Sequence, residues 1–211
     1  EQIAEYFRVL DEASDRMQLV EIGETAEGRT QLMAIISSAS NMRNLDRYKA
    51  ISQQLARARV SDDEARALVD EGKAIVWIDF GLHSTEVAHG QTAPWMAYKA
   101  VTEETEEMRF IRDNVIFLLV PNMNPDGTTL VAEWYMQHVG TEHEGAPLPE
   151  LYQKYVGHDN NRDWFMFNQP ESQNIGRQVY HEWFPQIVYN QHQSGPYPSR
   201  IFIPPFAEPV N

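Results

Sequence analysis

The apolar positions Ile3, Tyr6, Phe7, Leu10 and Met17 recur near helical spacing with Glu and Asp between them, which predicts a surface-packed helix. Two short apolar runs, Leu19–Ile22 and Leu32–Ile36, flank the turn-rich stretch Gly23–Thr30 and predict two neighbouring strands. Helical composition returns from Leu45 to Val60. Ser61 and Glu64 then make a capping-box pair at the start of a second helix, Asp62–Glu71, closed by Gly72.

Ala74 to Phe80 reads AIVWIDF, a continuous apolar run of the kind found in strands buried on both faces, so a central strand is expected there. Helical segments follow over about 88–101 and 103–113, then a second buried strand over Val115–Val120. A helical stretch, Glu171–Phe184, precedes a third apolar run, Gln186–Asn190. Strands alternating with helices of this length predict an α/β fold, a three-layer α/β/α arrangement around a mixed, largely parallel sheet. From Gly140 to Gln169 no period survives, and long irregular segments inside a domain commonly carry function. No internal repeat and no linker composition divides the chain, so residues 1–211 are read as one domain.

Charge and composition narrow the partners. The 17 Lys and Arg against 31 Asp and Glu leave a net charge of −14, a field that repels nucleic acid and anionic membrane surfaces. The longest apolar runs, Ala74–Ile78 and Val115–Pro121, are far below the ~20 residues that cross a bilayer, so no membrane association is expected. With no cysteine, a metal site has only His, Asp and Glu to draw on. The chain starts at Glu1 without an initiator Met or an apolar leader, which suggests a processed chain, an excised piece or an incomplete record.

In open α/β sheets, ligands bind outside the carboxyl ends of the strands. Just after the first central strand stands Gly81-Leu82-His83-Ser84-Thr85-Glu86, in which a His and a Glu three apart can reach one zinc ion. Taken alone it is equally a solvated turn capping the next helix. After the second strand comes Asn124-Pro125-Asp126-Gly127, strong turn chemistry with no function of its own required. The irregular segment holds His158-Asp159-Asn160-Asn161-Arg162-Asp163-Trp164, where Arg162 either offers a fork to a carboxylate ligand or pairs with Asp159 or Asp163. After the third run stands His192, a residue type that at a strand end is more often structural than ligating. Placement favours function over these separate bland readings. His83, Glu86 and His192 would form a two-His, one-carboxylate set with a fourth coordination position open, as catalytic zinc sites require.

Other candidates carry less. His138 and His143 with Glu142 or Glu144 are loosely spaced in an irregular segment, and His89 and His181 fall inside helical patterns as packing or surface residues. Trp164, beside the Asn-Arg pair, is a candidate pocket wall.

The segments GLHSTE, NPDG, DNNRDW and the His of YNQHQSG resemble, in the same order, the zinc carboxypeptidases of the carboxypeptidase A type, and GETAEGRTQLMAIISS is similar to the strand pair that opens that domain. The resemblance implies Zn²⁺ held by His83, Glu86 and His192, with Asn161 and Arg162 holding the terminal carboxylate of a peptide substrate. It also implies hydrolysis of the C-terminal peptide bond by a zinc-activated water. The family's general-base Glu and mobile Tyr come from the C-terminal part of its domain, which has no counterpart in the nineteen residues after His192. The resemblance is therefore to the N-terminal portion, no catalytic base is assigned within the chain, and little activity is expected of it alone. The family's carbonyl-polarising Arg also lacks a counterpart, since no Arg lies between Arg112 and Arg162. Lys154, His143 and His158 are the cations at hand. The segment between Leu45 and Gly72 is longer than in typical members. Two alternatives stand beside this reading: a zinc amidohydrolase of small N-acyl amino acids, and a non-catalytic module that binds zinc or carboxylates. The absence of cysteine and the family's usual secretion imply export from a bacterial cell, to the periplasm or beyond.

Overall fold

The computed structural model describes residues 1–152 and 159–193. Its elements are α1 (Gln2–Glu12), β1 (Met17–Glu24), β2 (Thr30–Ile36), α2 (Ala39–Met42), α3 (Leu45–Arg57), α4 (Asp62–Glu71), β3 (Ala74–Asp79), α5 (His89–Thr102), α6 (Glu106–Asn114), β4 (Val115–Val120), α7 (Pro125–His138), α8 (Pro170–Arg177) and β5 (Ile187–Asn190). A 3-10 turn at Asn160–Arg162 precedes α8, and a π-helix, Gln178–Trp183, continues it.

The strands form one sheet in the order β1-β2-β4-β3-β5. β3 pairs in parallel with both β4 and β5, whereas β2 pairs antiparallel with β1 and β4. Continuous apolar runs in β3 and β4 follow from helices on both faces. Ile75, Trp77, Ile116, Leu118 and Val120 join Ile175, Val179 and Trp183 in one core. Their strand neighbours Ile78, Phe80 and Leu119 face the opposite way, onto Phe7 and Leu10 of α1 and Ala93, Ala97 and Val101 of α5. The sheet thus lies between two apolar layers, the expected α/β/α arrangement, with β4, β3 and β5 as its parallel half.

Several boundaries differ from the pattern. The first helix stops at Glu12, and Met17 is the first residue of β1, where it is buried against Ile36 and its neighbours in the second core. The Asn-Pro-Asp-Gly segment is the start of α7 rather than a turn alone: Asn124 caps by accepting from Gly127 N at 2.9 Å, and Pro125 takes the first helical position. The capping box of Ser61 and Glu64 is present in both directions on α4.

The 45–72 segment is a buttress. Ser52 Oγ on α3 donates to Trp183 O at 2.7 Å, Gln53 Nε2 donates to Glu182 O at 2.9 Å, and Lys49 pairs with Glu182 at 2.5 Å. These bonds satisfy carbonyls at the end of the π-helix, which would otherwise lack partners. That end leads directly into β5.

β5 itself forms an edge of the sheet among the described residues, with Ile187, Val188 and Tyr189 each more than half exposed. Its carboxyl end is nevertheless held firmly. Asp79 lies opposite Asn190, its backbone oxygen accepts from Gln191 N at 2.9 Å, and its buried carboxylate accepts from Trp77 Nε1 at 2.6 Å and from the Asn190 amide. Burial outweighs these two bonds and pushes the Asp79 carboxyl up to about 6.

A carboxyl whose proton is held more tightly in the fold than in the unfolded chain contributes most below the unfolded value, ~3.9, and loses that contribution as pH rises through the folded one. A shift of this size corresponds to on the order of 3 kcal/mol. In chelator-treated protein, the urea midpoint of the native chain is expected to fall, relative to Asp79→Asn, as pH rises from about 4 to 7. Parallel curves for the two proteins would show that Asp79 titrates normally.

Candidate metal centre

The β3 strand ends at Asp79, and the chain then turns sharply at Gly81, which has φ +70°. A Cβ there would stand 2.7 Å from Asn122 Oδ1 and 2.9 Å from the His89 ring, so the turn requires glycine on both counts. Residues 83–86 close a backbone turn, with Glu86 N donating to His83 O at 3.0 Å. His83 and Glu86 thereby face one another over the carboxyl end of the sheet. His192 arrives from β5, two residues past Asn190, at the same end because β3 and β5 run parallel.

The three side chains converge, with one ligand atom of each lying within 4.8 Å of the others. Nδ1 of His83 is 2.7 Å from Glu86 Oε1, Nδ1 of His192 is 3.1 Å from Glu86 Oε2, and the two rings lie 4.7 Å apart. Gln193 N donates to Glu86 Oε2 at 2.8 Å. Burial works against the Glu86 charge, but the Gln193 bond, the His83 bond and the neighbouring imidazoles outweigh it and hold the carboxylate below its ordinary range.

Asp159 completes the group. Its Oδ1 lies 3.1 Å from His83 Nε2, so each ring nitrogen of His83 faces a carboxylate oxygen, Nδ1 that of Glu86 and Nε2 that of Asp159. A carboxylate only accepts, so a neutral His83 donates to one of the two, and when it donates to Asp159 its Nδ1 lone pair is left for a metal. Two imidazole nitrogens and a carboxylate oxygen around one point are the donor set that zinc accepts, so the residues fit the metal. The Asp159 to His83 bond is the outer-shell contact that orients such a ligand.

The 159–163 segment docks on the same loop. Asn160 Nδ2 donates to Leu82 O at 2.6 Å, and Asp159 accepts from Asn161 N at 2.7 Å. Asp163 accepts from Asn168 N, Gln169 N and the Ser172 hydroxyl, which anchors the segment to α8. The alternative pairing of Arg162 with Asp159 or Asp163 is therefore not the observed arrangement. Arg162 is exposed, donates to Asn161 O at 2.9 Å and is in no ion pair among the described residues.

Three further groups were not legible as functional. By sequence Asp159 is only one possible ion-pair partner for Arg162, and it instead contacts His83. Asp126 is buried and accepts from Thr25 Oγ1 at 2.7 Å, Glu27 N at 2.9 Å and Arg29 Nη1 at 2.8 Å, tying the β1–β2 hairpin to the start of α7. His89 is buried beneath the ligand loop, where desolvation lowers its pKa against the opposing effect of its bond to Glu86 O. Of the cations considered for carbonyl polarisation, His143 is exposed beside Glu142 and lies near His138 at the end of α7, while Lys154 and His158 fall outside the described residues. A cleft of about 420 Å³ beside Met42, Arg43 and Asn44 shares no residue with the metal centre.

The family model for zinc carboxypeptidases matches residues 3–198. Among solved structures, the carboxypeptidase A of Helicoverpa armigera superposes with a TM-score of 0.58 at 16% identity, over 92% of this chain and 45% of that one. A metallo-carboxypeptidase of Burkholderia cenocepacia gives 0.55 at 18% identity over 90% of this chain and 39% of its own. A metallo-carboxypeptidase of Pseudomonas aeruginosa, solved with (2-guanidinoethylmercapto)succinic acid, gives 0.55 at 15% identity over 90% and 38%. The chain thus spans less than half the length of these structures, and at such identities the likeness concerns the fold. No curated protein matches the chain.

One zinc per chain is expected in metal analysis of protein purified without chelator. Alanine at His83, Glu86 or His192 is expected to weaken zinc by more than the ~10–100-fold typical of changes outside the direct ligands. Equal zinc retention in all three variants would exclude this centre.

Proposed function

The chain belongs to the zinc carboxypeptidase family, and on that premise we propose that it supplies the metal-holding and carboxylate-anchoring part of a metallocarboxypeptidase acting on peptide C-termini. The observation that carries this reading is the convergence of His83, Glu86 and His192, together with an exposed Arg162, three residues past the Asp159 that contacts His83, that is in no ion pair among the described residues.

In this reading His83 and His192 bind through Nδ1 and Glu86 through its carboxylate. Zinc held there supplies a Lewis acid that polarises a carbonyl and brings the pKa of water toward ~7. The remaining tasks belong to side chains. Asp159 fixes the His83 ring so that Nδ1 stays aimed at the centre. Asn160 ties the Asn161–Arg162 pair to Leu82, one residue before the first ligand, so anchor and metal move as one body. Arg162 presents a planar fork to the terminal carboxylate of the substrate, and Asn161 adds an amide donor beside it. The P. aeruginosa structure holds a succinic acid derivative, a ligand with carboxylates, which is consistent with an anchor of this kind.

The carboxylates in contact with His83 or His192 are Glu86 and Asp159 among the described residues, and both already accept from neighbours. Neither is assigned as a general base. A site lacking that group forgoes roughly 10²–10⁴-fold of rate, so the 211-residue chain by itself is expected to trim peptides slowly or not at all.

A charge-assisted bond of the Arg162 type contributes about 1.5–3 kcal/mol, so its loss is expected to weaken binding by roughly ten- to more than a hundredfold. Calorimetry on the zinc-loaded chain, with a peptide and its C-terminally amidated twin, reads this directly. The native protein is expected to prefer the free acid, and Arg162→Lys to lose most of the preference, because a point charge cannot make two parallel bonds. Equal binding of both peptides by the native protein would remove the carboxylate anchor and favour the amidohydrolase or binding-module alternatives.

A further inference from the structure

Histidine 89 touches both ends of the segment that delivers two of the three ligands. Its Nδ1 lies 3.0 Å from the backbone oxygen of Glu86, and its ring closes the space at Gly81, where a Cβ would meet ring atoms at 2.9 and 3.1 Å. The imidazole is 6% exposed. Since a carbonyl oxygen only accepts, the Nδ1 proton is donated to Glu86, and Nε2 turns toward Thr128 Oγ1 on α7 at 3.4 Å. Thr128 Oγ1 lies in turn 3.2 Å from Asn122 Oδ1, the atom that crowds the other side of Gly81.

The stretch from Gly81 to Glu86 is therefore clamped from below by one side chain. Without the 3.0 Å bond from Nδ1, Glu86 O keeps only the longer contact from His89 N at 3.5 Å, and the turn leading into α5 is held less firmly. A ligand held loosely binds its metal less well because the ordering cost falls on the binding step.

We infer that His89 is a positioning residue for the metal centre, holding the Glu86 backbone through Nδ1 so that His83 and Glu86 present their ligand atoms together. The inference rests on the proposal that His83, Glu86 and His192 hold a metal.

The test compares three substitutions in the full chain. Asn places its amide nitrogen near the position of Nδ1, Gln places its own nearer that of Nε2, and Leu has neither. Zinc affinity is measured by competition with a chromophoric chelator, and metal-free thermal unfolding is recorded in parallel. His89→Leu and His89→Gln are expected to weaken zinc by about tenfold or more, while His89→Asn stays within about threefold of native. Where His89→Leu does not fold, the Asn and Gln pair decides alone, since both are polar and differ only in donor position. Native affinity in His89→Gln, or equal loss in His89→Asn and His89→Gln, overturns the inference and leaves His89 a packing residue. A native chain that takes up no zinc overturns the metal centre and this inference together, whereas tight native binding with indifferent variants overturns the inference alone.

Discussion

The parallel pairing of β3 with β5, with Asp79 opposite Asn190, is the constraint on which the metal centre depends. His83 and Glu86 leave the sheet from one strand and His192 from the other, more than a hundred residues later, so no local turn can bring them together. Parallel strands place their carboxyl ends on the same edge of the sheet, and a one-residue slip in register would reverse the side on which every following side chain emerges. The Asp79 carboxylate guards against that slip by holding the Asn190 amide, and its backbone oxygen holds Gln191. A buried charge that costs stability at neutral pH is retained at the point where register decides function. The α3 buttress on the π-helix fixes the other end of the same short strand.

A second set of buried carboxylates secures the loops. Asp126 binds the β1–β2 hairpin, Asp163 binds the start of α8, and Glu171 accepts from Ala26 N at 2.8 Å. Burial raises the Glu171 pKa, and the nearby charges of Asp126 and Asp163 add to it against two backbone bonds. Such groups are tolerated because each is met by backbone N–H donors, which a loop otherwise leaves without partners. Three segments distant in sequence, the hairpin tip, the helix start after β4 and the 159–172 region, are joined by polar bonds.

Strands and helices with a strong period were legible because β3 and β4 are buried on both faces and α4 carries its own capping box. The helix α7 was not. Its apolar residues are spread around the cylinder, with Tyr135 and Met136 exposed, so no stripe marks it. Its start also uses Asn, Pro, Asp and Gly, residues that serve a turn and a helix N-terminus equally well. The proposed ligands stand out by order along the chain, since each follows a strand. The residues proposed to orient them do not, because Asp159 and His89 make contacts across 76 residues of sequence or beneath a turn, and neither leaves a spacing to read.

The chain carries 31 acidic residues against 17 Lys and Arg, so its distant field disfavours the anion that the Asn161–Arg162 pair is proposed to bind. Solvent and salt weaken that field beyond about 8 Å, and a bound carboxylate answers chiefly to what lies within contact. Within contact, the two aspartates flanking Arg162 are committed elsewhere: Asp159 to His83 and to Asn161 N, Asp163 to Asn168 N, Gln169 N and the Ser172 hydroxyl. Those commitments do two things at once. They fold the 159–163 segment against the loop that carries His83, and they leave neither aspartate in an ion pair with Arg162. An Arg placed between two acids is ordinarily neutralised by them. Here the same acids build the scaffold, and Arg162 is left exposed, where an outside carboxylate can meet it.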